Sequence, residues 1–201
     1  MTDKFLDKVY DARTADETRE LYDAWSASYE AEVAENGYAT PGRCAEALAK
    51  HLKDKDAPIL DFGCGTGLSG LALKLAGFTT IDGVDLSADM LAQAKDKSVY
   101  RSLTQIEPGA AITGECKAIA AIGVIGAGAA PISTFDLIMK ALPKGGYFVL
   151  SFNDHALADP VNEGRVAEWC DCGAARLLVK DYGPHLPGLD MKSNVYVLEK
   201  L

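Results

Sequence analysis

Residues 59–67 have the sequence ILDFGCGTG, in which an apolar run ends in an acid and three glycines follow at alternate positions. The apolar run is typical of a buried strand. Alternating glycines let the backbone turn tightly and approach a ligand closely, because no Cβ stands in the way. A helix predicted from residue 68 would offer unpaired N–H groups at its start. The stretch therefore predicts a strand-to-helix turn that binds a cofactor.

Two kinds of cofactor fit this turn. A dinucleotide site needs Gly-x-Gly-x-x-Gly and an acid roughly 20 residues further on. Gly65, Gly67, Gly70 and Asp85 satisfy that pattern formally. However, Asp61 at the end of the strand would repel a pyrophosphate, whereas it suits a ligand that carries a cationic amino group. S-adenosylmethionine is such a ligand, and the sequence favours it over a dinucleotide.

A second motif follows the glycine turn, with the sequence GVDLSADML at residues 83–91. Together with residues 61–67 it resembles the class I S-adenosylmethionine-dependent methyltransferases. The resemblance extends to residues 21–29 and 142–150 and so covers most of the chain. It is nearest to the methyltransferase-like protein 27 type of small methyltransferase. It implies an enzyme that uses S-adenosyl-L-methionine and releases S-adenosyl-L-homocysteine.

The same resemblance implies a set of cofactor contacts at the ends of the strands. Asp61 would face the amino group of the methionine moiety, and Asp85 would accept hydrogen bonds from both ribose hydroxyls. The other implied cofactor-binding residues are Gly63, Gly65 and Gly67 in the turn, Leu86 and Met90 against the adenine, Glu107 at its amino group, and Tyr29 and Trp25 in an N-terminal lid.

Structural explanations remain open for several of these residues. Met90 is equally typical of a core position, and Glu107 of an exposed turn. Trp25 and Tyr29 are spaced i, i+4, which on a helix is typical of a packing pair. The sequence does not separate these alternatives.

Strand and helix patterns alternate along the chain, which is typical of an α/β protein. Strands are predicted at 58–62, 78–84, 100–106, 118–124 and 146–152, and helices at 68–75, 133–141 and 161–169, with further helices capped by Thr14, Thr40 and Ser87. Two terminal strands are predicted at 176–180 and 194–198, joined by a loop at 183–188. The fold class is a single Rossmann-like open sheet, mostly parallel with an antiparallel C-terminal hairpin strand and helices on both faces. We expect one domain over 1–201, with a helical lid at 1–40 and the cofactor-binding sheet and hairpin at 58–201.

The charge and the cysteine content limit which partners and metals the sequence predicts. Twenty basic against twenty-nine acidic residues give a net charge of -9, which disfavours nucleic acid because that affinity depends on Lys and Arg contacts. No run approaches the roughly 20 apolar residues of a membrane span, and the N-terminus shows no secretion signal. The five cysteines lack zinc-site spacing, so we expect reduced thiols, no metal and a cytoplasmic protein.

The acceptor is the open question. The sequence predicts methyl transfer to a small molecule by direct displacement at the sulfonium methyl, which requires mainly an aligned nucleophile. A general base is not evident; His155, after the fifth strand, is a weak catalytic candidate, and an exposed loop histidine is the alternative. Two other functions stay open: cofactor binding without catalysis, and a nicotinamide-dependent oxidoreductase using a Tyr-x-x-x-Lys pair, for which Tyr196 and Lys200 are the match.

Overall fold

The computed structural model describes residues 14–126 and 128–201. The elements in chain order are α1 (Ala15–Glu35), α2 (Thr40–His51), β1 (Ile59–Phe62), α3 (Leu68–Leu75), β2 (Ile81–Asp85), α4 (Ala88–Asp96), β3 (Ser102–Gln105), β4 (Ala118–Ala121), α5 (Ser133–Ala141), β5 (Tyr147–Asn153), α6 (Asp154–Leu157), α7 (Pro160–Asp171), β6 (Ala175–Leu186), a 3-10 turn (Pro187–Leu189) and β7 (Met191–Lys200). The predicted lid at 1–40 therefore falls partly outside the described residues, since 1–13 are not among them.

The strands of the described residues form one sheet in the order β3-β2-β1-β4-β5-β7-β6. β1 pairs in parallel with β2 on one side and with β4 on the other. The order thus reverses between β1 and β4, which is where open α/β sheets bind ligands. β7 lies antiparallel between β5 and β6. The predicted mixed α/β sheet with one antiparallel strand is confirmed.

Helices cover both faces of the sheet, as predicted. On one face Cys44 and Leu48 of α2 and Leu73 of α3 are fully buried with Ile59 and Val149. On the other face α5 and α7 pack on the alternate strand positions, with Phe135, Ile138, Met139 and Val166 against Leu60, Phe62, Phe148 and Leu150. Burial on both faces explains the nearly continuous apolar character of β1, β4 and β5.

The caps that open the helices follow the sequence with one exception. Thr14 and Glu17 form the predicted capping box of α1, and the Ser87 hydroxyl accepts the Met90 N–H at the start of α4. Thr40 was predicted as a cap, which is wrong. It is the first helical residue of α2 and makes no cap hydrogen bond. Its hydroxyl is instead buried against His185 Nδ1 at 2.8 Å.

Several strand boundaries also differ from the prediction, among them those of β4 and β6. β4 ends at Ala121 rather than at residue 124, because Gly123 adopts a φ of +71° and turns the chain. The predicted loop at 183–188 is mostly strand, since Gly183 and Pro184 pair with β7. Proline is tolerated there because β6 is an edge strand whose N–H groups need no partner on the outer side. Local glycine and proline content therefore misled the loop prediction.

Candidate active site

A cavity of about 680 Å³ opens at the carboxyl ends of the central strands. The glycine turn after β1, the end of β2 and the segment after β4 form its floor, and α1 supplies tyrosines to its wall. This is the edge of the sheet where the strand order reverses. The motifs found in the sequence therefore meet at one cavity.

The three glycines of the turn serve different purposes. Gly63, Gly65 and Gly67 all have positive φ, at +70°, +52° and +94°, a conformation that other residues seldom adopt. A Cβ on Gly63 would lie 2.6 Å from a methyl group of Val124, whereas one on Gly65 would meet nothing within 4 Å. Gly65 thus leaves its side of the turn open to the cavity. Gly67 packs against α4, since a Cβ there would be 3.2 Å from the Cα of Ala94.

Asp85 joins the turn to the end of β2. Its Oδ2 accepts the Gly65 N–H at 2.8 Å and its Oδ1 accepts the Ser87 N–H at 2.9 Å. Removal from water raises the pKa of this carboxyl, and the same N–H groups act in the opposite direction. The side chain lines the cavity. Each oxygen keeps further acceptor capacity, because a carboxylate oxygen has about two lone-pair sites.

Asp61 lies beneath the turn and is fully buried. Its Oδ2 accepts hydrogen bonds from Ser69 at 2.6 Å and from Tyr100 at 2.7 Å. Desolvation raises its pKa, the two hydrogen bonds act in the opposite direction and the nearby Asp85 raises it, which together bring the pKa to about 6. Asp61 is not among the described residues that line the cavity. Its contact with a methionine amino group stays a prediction.

Two buried polar atoms of this turn have no hydrogen-bond partner within the described part of the chain, Asp61 Oδ1 and Thr66 Oγ1. A buried acceptor left unsatisfied costs roughly 1–3 kcal/mol. Thr66 also lines the cavity. A ligand that brings N–H or ammonium donors to the turn would offset that cost, directly or through water. The residues present therefore fit a ligand with an amino group.

The remaining predicted cofactor-binding residues lie either at the cavity or in the core. Leu86, Met90, Glu107 and Tyr29 line the cavity, although Met90 is 1% exposed and belongs equally to the core. Trp25 lies behind the wall: it is buried, with its ring edge-on to Tyr29 at 4.7 Å between centroids. Trp25 is thus placed as a packing residue among those described.

Ion pairs and hydrogen bonds hold α1 against the region that borders the cavity. Asp23 accepts a hydrogen bond from the Ser87 hydroxyl, and Glu30 pairs with Lys97 at 2.5 Å. Near the start of α1, Arg19 lies 3.4 Å from Glu107. All three partners belong to the region that follows β2 and β3. α1 is therefore attached on the side of the cavity where adenine is expected, and its role as a lid stays a prediction.

The histidines do not supply a base to the described lining of the cavity. His155 is exposed on α6 and outside that lining. His185, within the predicted loop at 183–188, is instead buried near the end of β6. Burial lowers its pKa to about 4, so it is neutral at pH 7. His51 ends α2 and is also outside that lining.

Sequence reasoning missed two tyrosines. Tyr100 reaches under the turn, where its hydroxyl donates to Asp61 and accepts the Gly70 N–H at 3.1 Å. Tyr38 lines the cavity beside Gly123. Both contacts join residues far apart in the chain, so no local pattern signals them. A local signal for Tyr38 is its position directly after Asn36 and Gly37, where α1 ends.

The described residues contain no group of three His, Cys, Asp or Glu side chains that could hold a metal ion. The five cysteines are free thiols. Within 14–126 and 128–201, the helices all fall short of the length and apolar character that a membrane crossing requires.

A model of the methyltransferase domain family matches residues 37–182. The chain belongs to this family. It is similar to human methyltransferase-like protein 27, at 32% identity over 131 residues that make up 62% of this chain and 54% of the human protein. The chain therefore spans about half the length of that curated relative.

Solved structures with the same fold are more distant in sequence. The [4+2]-cyclase SpnF is 14% identical with a TM-score of 0.70, over 94% of this chain and 97% of the cyclase. Magnesium protoporphyrin IX methyltransferase from Synechocystis PCC 6803, solved with bound SAM, is 13% identical with a TM-score of 0.61, over 98% of this chain and 90% of that chain. These likenesses confirm the Rossmann-like methyltransferase fold.

Proposed function

We propose that this protein transfers a methyl group from S-adenosylmethionine to a small-molecule acceptor. The observation that carries the proposal is Asp85, a carboxylate at the end of β2 that lines the cavity and is fixed by the N–H groups of Gly65 and Ser87. This arrangement couples a hydrogen-bond acceptor for ribose hydroxyls to the backbone of the glycine turn. Membership of the methyltransferase domain family supports it.

The two ends of the cavity suit different parts of the cofactor. Leu86, Met90 and Ile106 form an apolar surface beside Asp85 that suits an adenine ring, and Glu107 lies at its border. At the other end, Gly65 leaves the turn open, and buried Asp61 would act as counter-charge to an ammonium group. When bound, S-adenosylmethionine supplies an already activated methyl group on its sulfonium. The protein then has to orient the acceptor and exclude water.

A small-molecule acceptor agrees with the shape and charge of the protein. A cavity of about 680 Å³ has the size of a site for a cofactor with a small partner. The net charge of -9 disfavours nucleic acid, which requires a basic surface. A cytoplasmic location remains a prediction from the sequence.

A second candidate function is cofactor binding without methyl transfer. It is favoured by the placement of the histidines, since His155 and His185 lie outside the described lining of the cavity. Incubation with methyl-labelled S-adenosylmethionine and a fractionated metabolite extract separates the two functions. A methyltransferase labels a small-molecule fraction, whereas a binding protein labels none.

The nicotinamide alternative loses support from the structure. Tyr196 is buried in β7 and its hydroxyl donates to Glu163, so the Tyr-x-x-x-Lys pair lies on a strand, away from the cavity. The third glycine of the dinucleotide pattern also has another role. A Cβ on Gly70 would overlap the Tyr100 hydroxyl, which accounts for that glycine without a pyrophosphate.

Calorimetric titration with S-adenosylhomocysteine tests the proposed cofactor. We expect saturable binding, and Asp85→Asn should weaken it by roughly 1.5–3 kcal/mol, the range for hydrogen bonds to a charged group. Asp89→Asn is the matched control, because Asp89 is exposed on α4 and should bind normally. Thermal unfolding of each variant separates lost affinity from lost folding, since Asp85 also fixes the Gly65 and Ser87 N–H groups. Absence of binding by the wild type at millimolar ligand would refute the proposal.

A further inference from the structure

Tyr38 lies where the cofactor turn meets the rest of the cavity. A Cβ on Gly63 would clash with Val124, and a Cβ on the preceding Gly123 would lie 2.9 Å from the Tyr38 hydroxyl. The glycine turn therefore lies against Val124 of the segment after β4, and the neighbouring Gly123 lies against Tyr38. Because β4 neighbours β1 on the side away from β2, this hydroxyl lies beyond the methionine end of the proposed cofactor.

Neighbouring groups fix the ring of Tyr38. The ring of His185 meets it edge-on at 5.2 Å between centroids. His185 is in turn held by Thr40, whose hydroxyl lies 2.8 Å from Nδ1 and 3.0 Å from the Ser193 hydroxyl. His185, Thr40 and Ser193 are all buried. A side chain on such a support can present its hydroxyl in a fixed direction, which is what positioning requires.

Charge is unevenly distributed over the cavity. Its described charged residues are Arg19, Asp85 and Glu107, and they lie toward β2 and β3, where Arg19 and Glu107 pair with each other. The end at β4 is formed by Tyr38, Pro41, Ile122, Gly123 and Val124, which carry no charge at pH 7. A charged molecule entering this end would lose water and find no counter-ion among these five residues, at a large cost in free energy.

We propose that the methyl acceptor is a small, uncharged and mainly apolar molecule with one hydrogen-bonding group, and that the Tyr38 hydroxyl positions this group beside the cofactor. The inference rests on the proposed function for the location of the methyl donor. Tyr38 is a specificity-determining residue, and His185 supports it from behind.

Binding of three naphthalenes of different charge tests the acceptor class. The probes are 2-naphthol, 2-naphthoate and 2-naphthylmethylammonium, added to wild-type protein saturated with S-adenosylhomocysteine and followed by fluorescence at pH 7. We expect uncharged 2-naphthol to bind at least about tenfold more tightly than either ion, since burial of an unpaired charge is costly. Equal or tighter binding of an ion, or no binding of 2-naphthol up to about 1 mM, overturns the inference.

A tyrosine substitution tests the hydroxyl. Tyr38→Phe should weaken 2-naphthol binding by about 2- to 10-fold, the effect of one neutral hydrogen bond, while leaving binding of unsubstituted naphthalene unchanged. A merely structural role would weaken both. Tyr147→Phe is the matched control, because Tyr147 begins β5 at the opposite end of the sheet. If Tyr38→Phe leaves 2-naphthol binding unchanged, the inference fails, and intact S-adenosylhomocysteine binding then shows that the proposed cofactor survives its failure.

Discussion

Asp61 is a carboxylic acid held away from water beneath the glycine turn, with two donors on one oxygen and none among the described residues on the other. Burial favours its protonated form more than the two hydrogen bonds favour the ionised form, so its pKa rises to about 6. Ionised Asp61 therefore destabilises the ligand-free protein near neutral pH. An ammonium group bound at the turn would offset this destabilisation.

The stability of the ligand-free protein should change with pH as the Asp61 carboxyl titrates. Because the folded pKa is raised, the contribution of Asp61 is fully present below the unfolded pKa of 3.8 and is lost as pH rises through about 6. Asp61→Asn cannot ionise. We expect the free energy of unfolding of the variant, relative to wild type, to improve by up to about 3 kcal/mol between pH 4 and pH 8, measured by urea denaturation. A difference that is flat with pH, as expected for the exposed control Asp89→Asn, would contradict the buried-carboxyl account.

Single residues divide into those that a sequence can indicate and those that it cannot. Asp61 and Asp85 were predicted because each belongs to a short motif that can be recognised in the sequence. Tyr38 and Tyr100 were not, because their roles depend on contacts with Gly123 and with Asp61 that arise only in the folded chain. Asp85 was predicted only as a ligand contact. Its hydrogen bonds from the Gly65 and Ser87 N–H groups, which give it a structural role as well, were not predicted.

At the level of elements, two helical glycines provide a matched comparison. Gly70 lies in α3, where a Cβ would overlap the Tyr100 hydroxyl, whereas Gly42 lies in α2 with nothing within 4 Å of the same position. Gly70→Ala should destabilise the protein by about 1–3 kcal/mol through overpacking. Gly42→Ala should stabilise it by roughly 0.5–1 kcal/mol, since alanine is the better helix former.

Chemical denaturation of both variants checks this comparison. Opposite signs are expected, and Gly70→Ala should also weaken S-adenosylhomocysteine binding because Tyr100 would be displaced from Asp61. If both glycines tolerate alanine equally, Tyr100 is not packed against α3 as described.

Element boundaries were less predictable than element types. The limits of α3 and α5 were predicted to the residue, because turn glycines and apolar periodicity mark them locally. The limits of β4 and β6 were wrong, since Gly123 ends one strand early and pairing with β7 carries the other through Pro184. The helix ends and the end of β4 depend on nearby residues, whereas the end of β6 depends on its partner strand.

For the whole molecule, burial of His185 is expected to make stability decrease at acidic pH. Its folded pKa of about 4 lies below the ordinary value of 6.5 because of burial, which outweighs the opposing charge of Asp154; Arg43 and His155 lower it further. A depressed histidine pKa means that its contribution is present above pH 6.5 and is lost as pH falls towards 4. We expect wild-type protein to lose up to about 3 kcal/mol of stability from this group over that range.

Substitution of His185 separates its contribution from that of Asp61, which changes in the opposite direction over the same range. His185→Gln should flatten the loss of stability between pH 6.5 and 4 in urea titrations, and His155→Gln, on exposed α6, should not. An unchanged pH profile in His185→Gln would show that the buried histidine does not determine acid sensitivity.

The position of β7 affects how the protein opens. β7 is hydrogen-bonded to β5 on one side and to β6 on the other, so β6 has no other link to the sheet among the described strands. If β7 detached, two strand edges would be uncovered together, and exposed edges are templates for pairing with other chains. The strand that completes the fold is thus also a safeguard against aggregation.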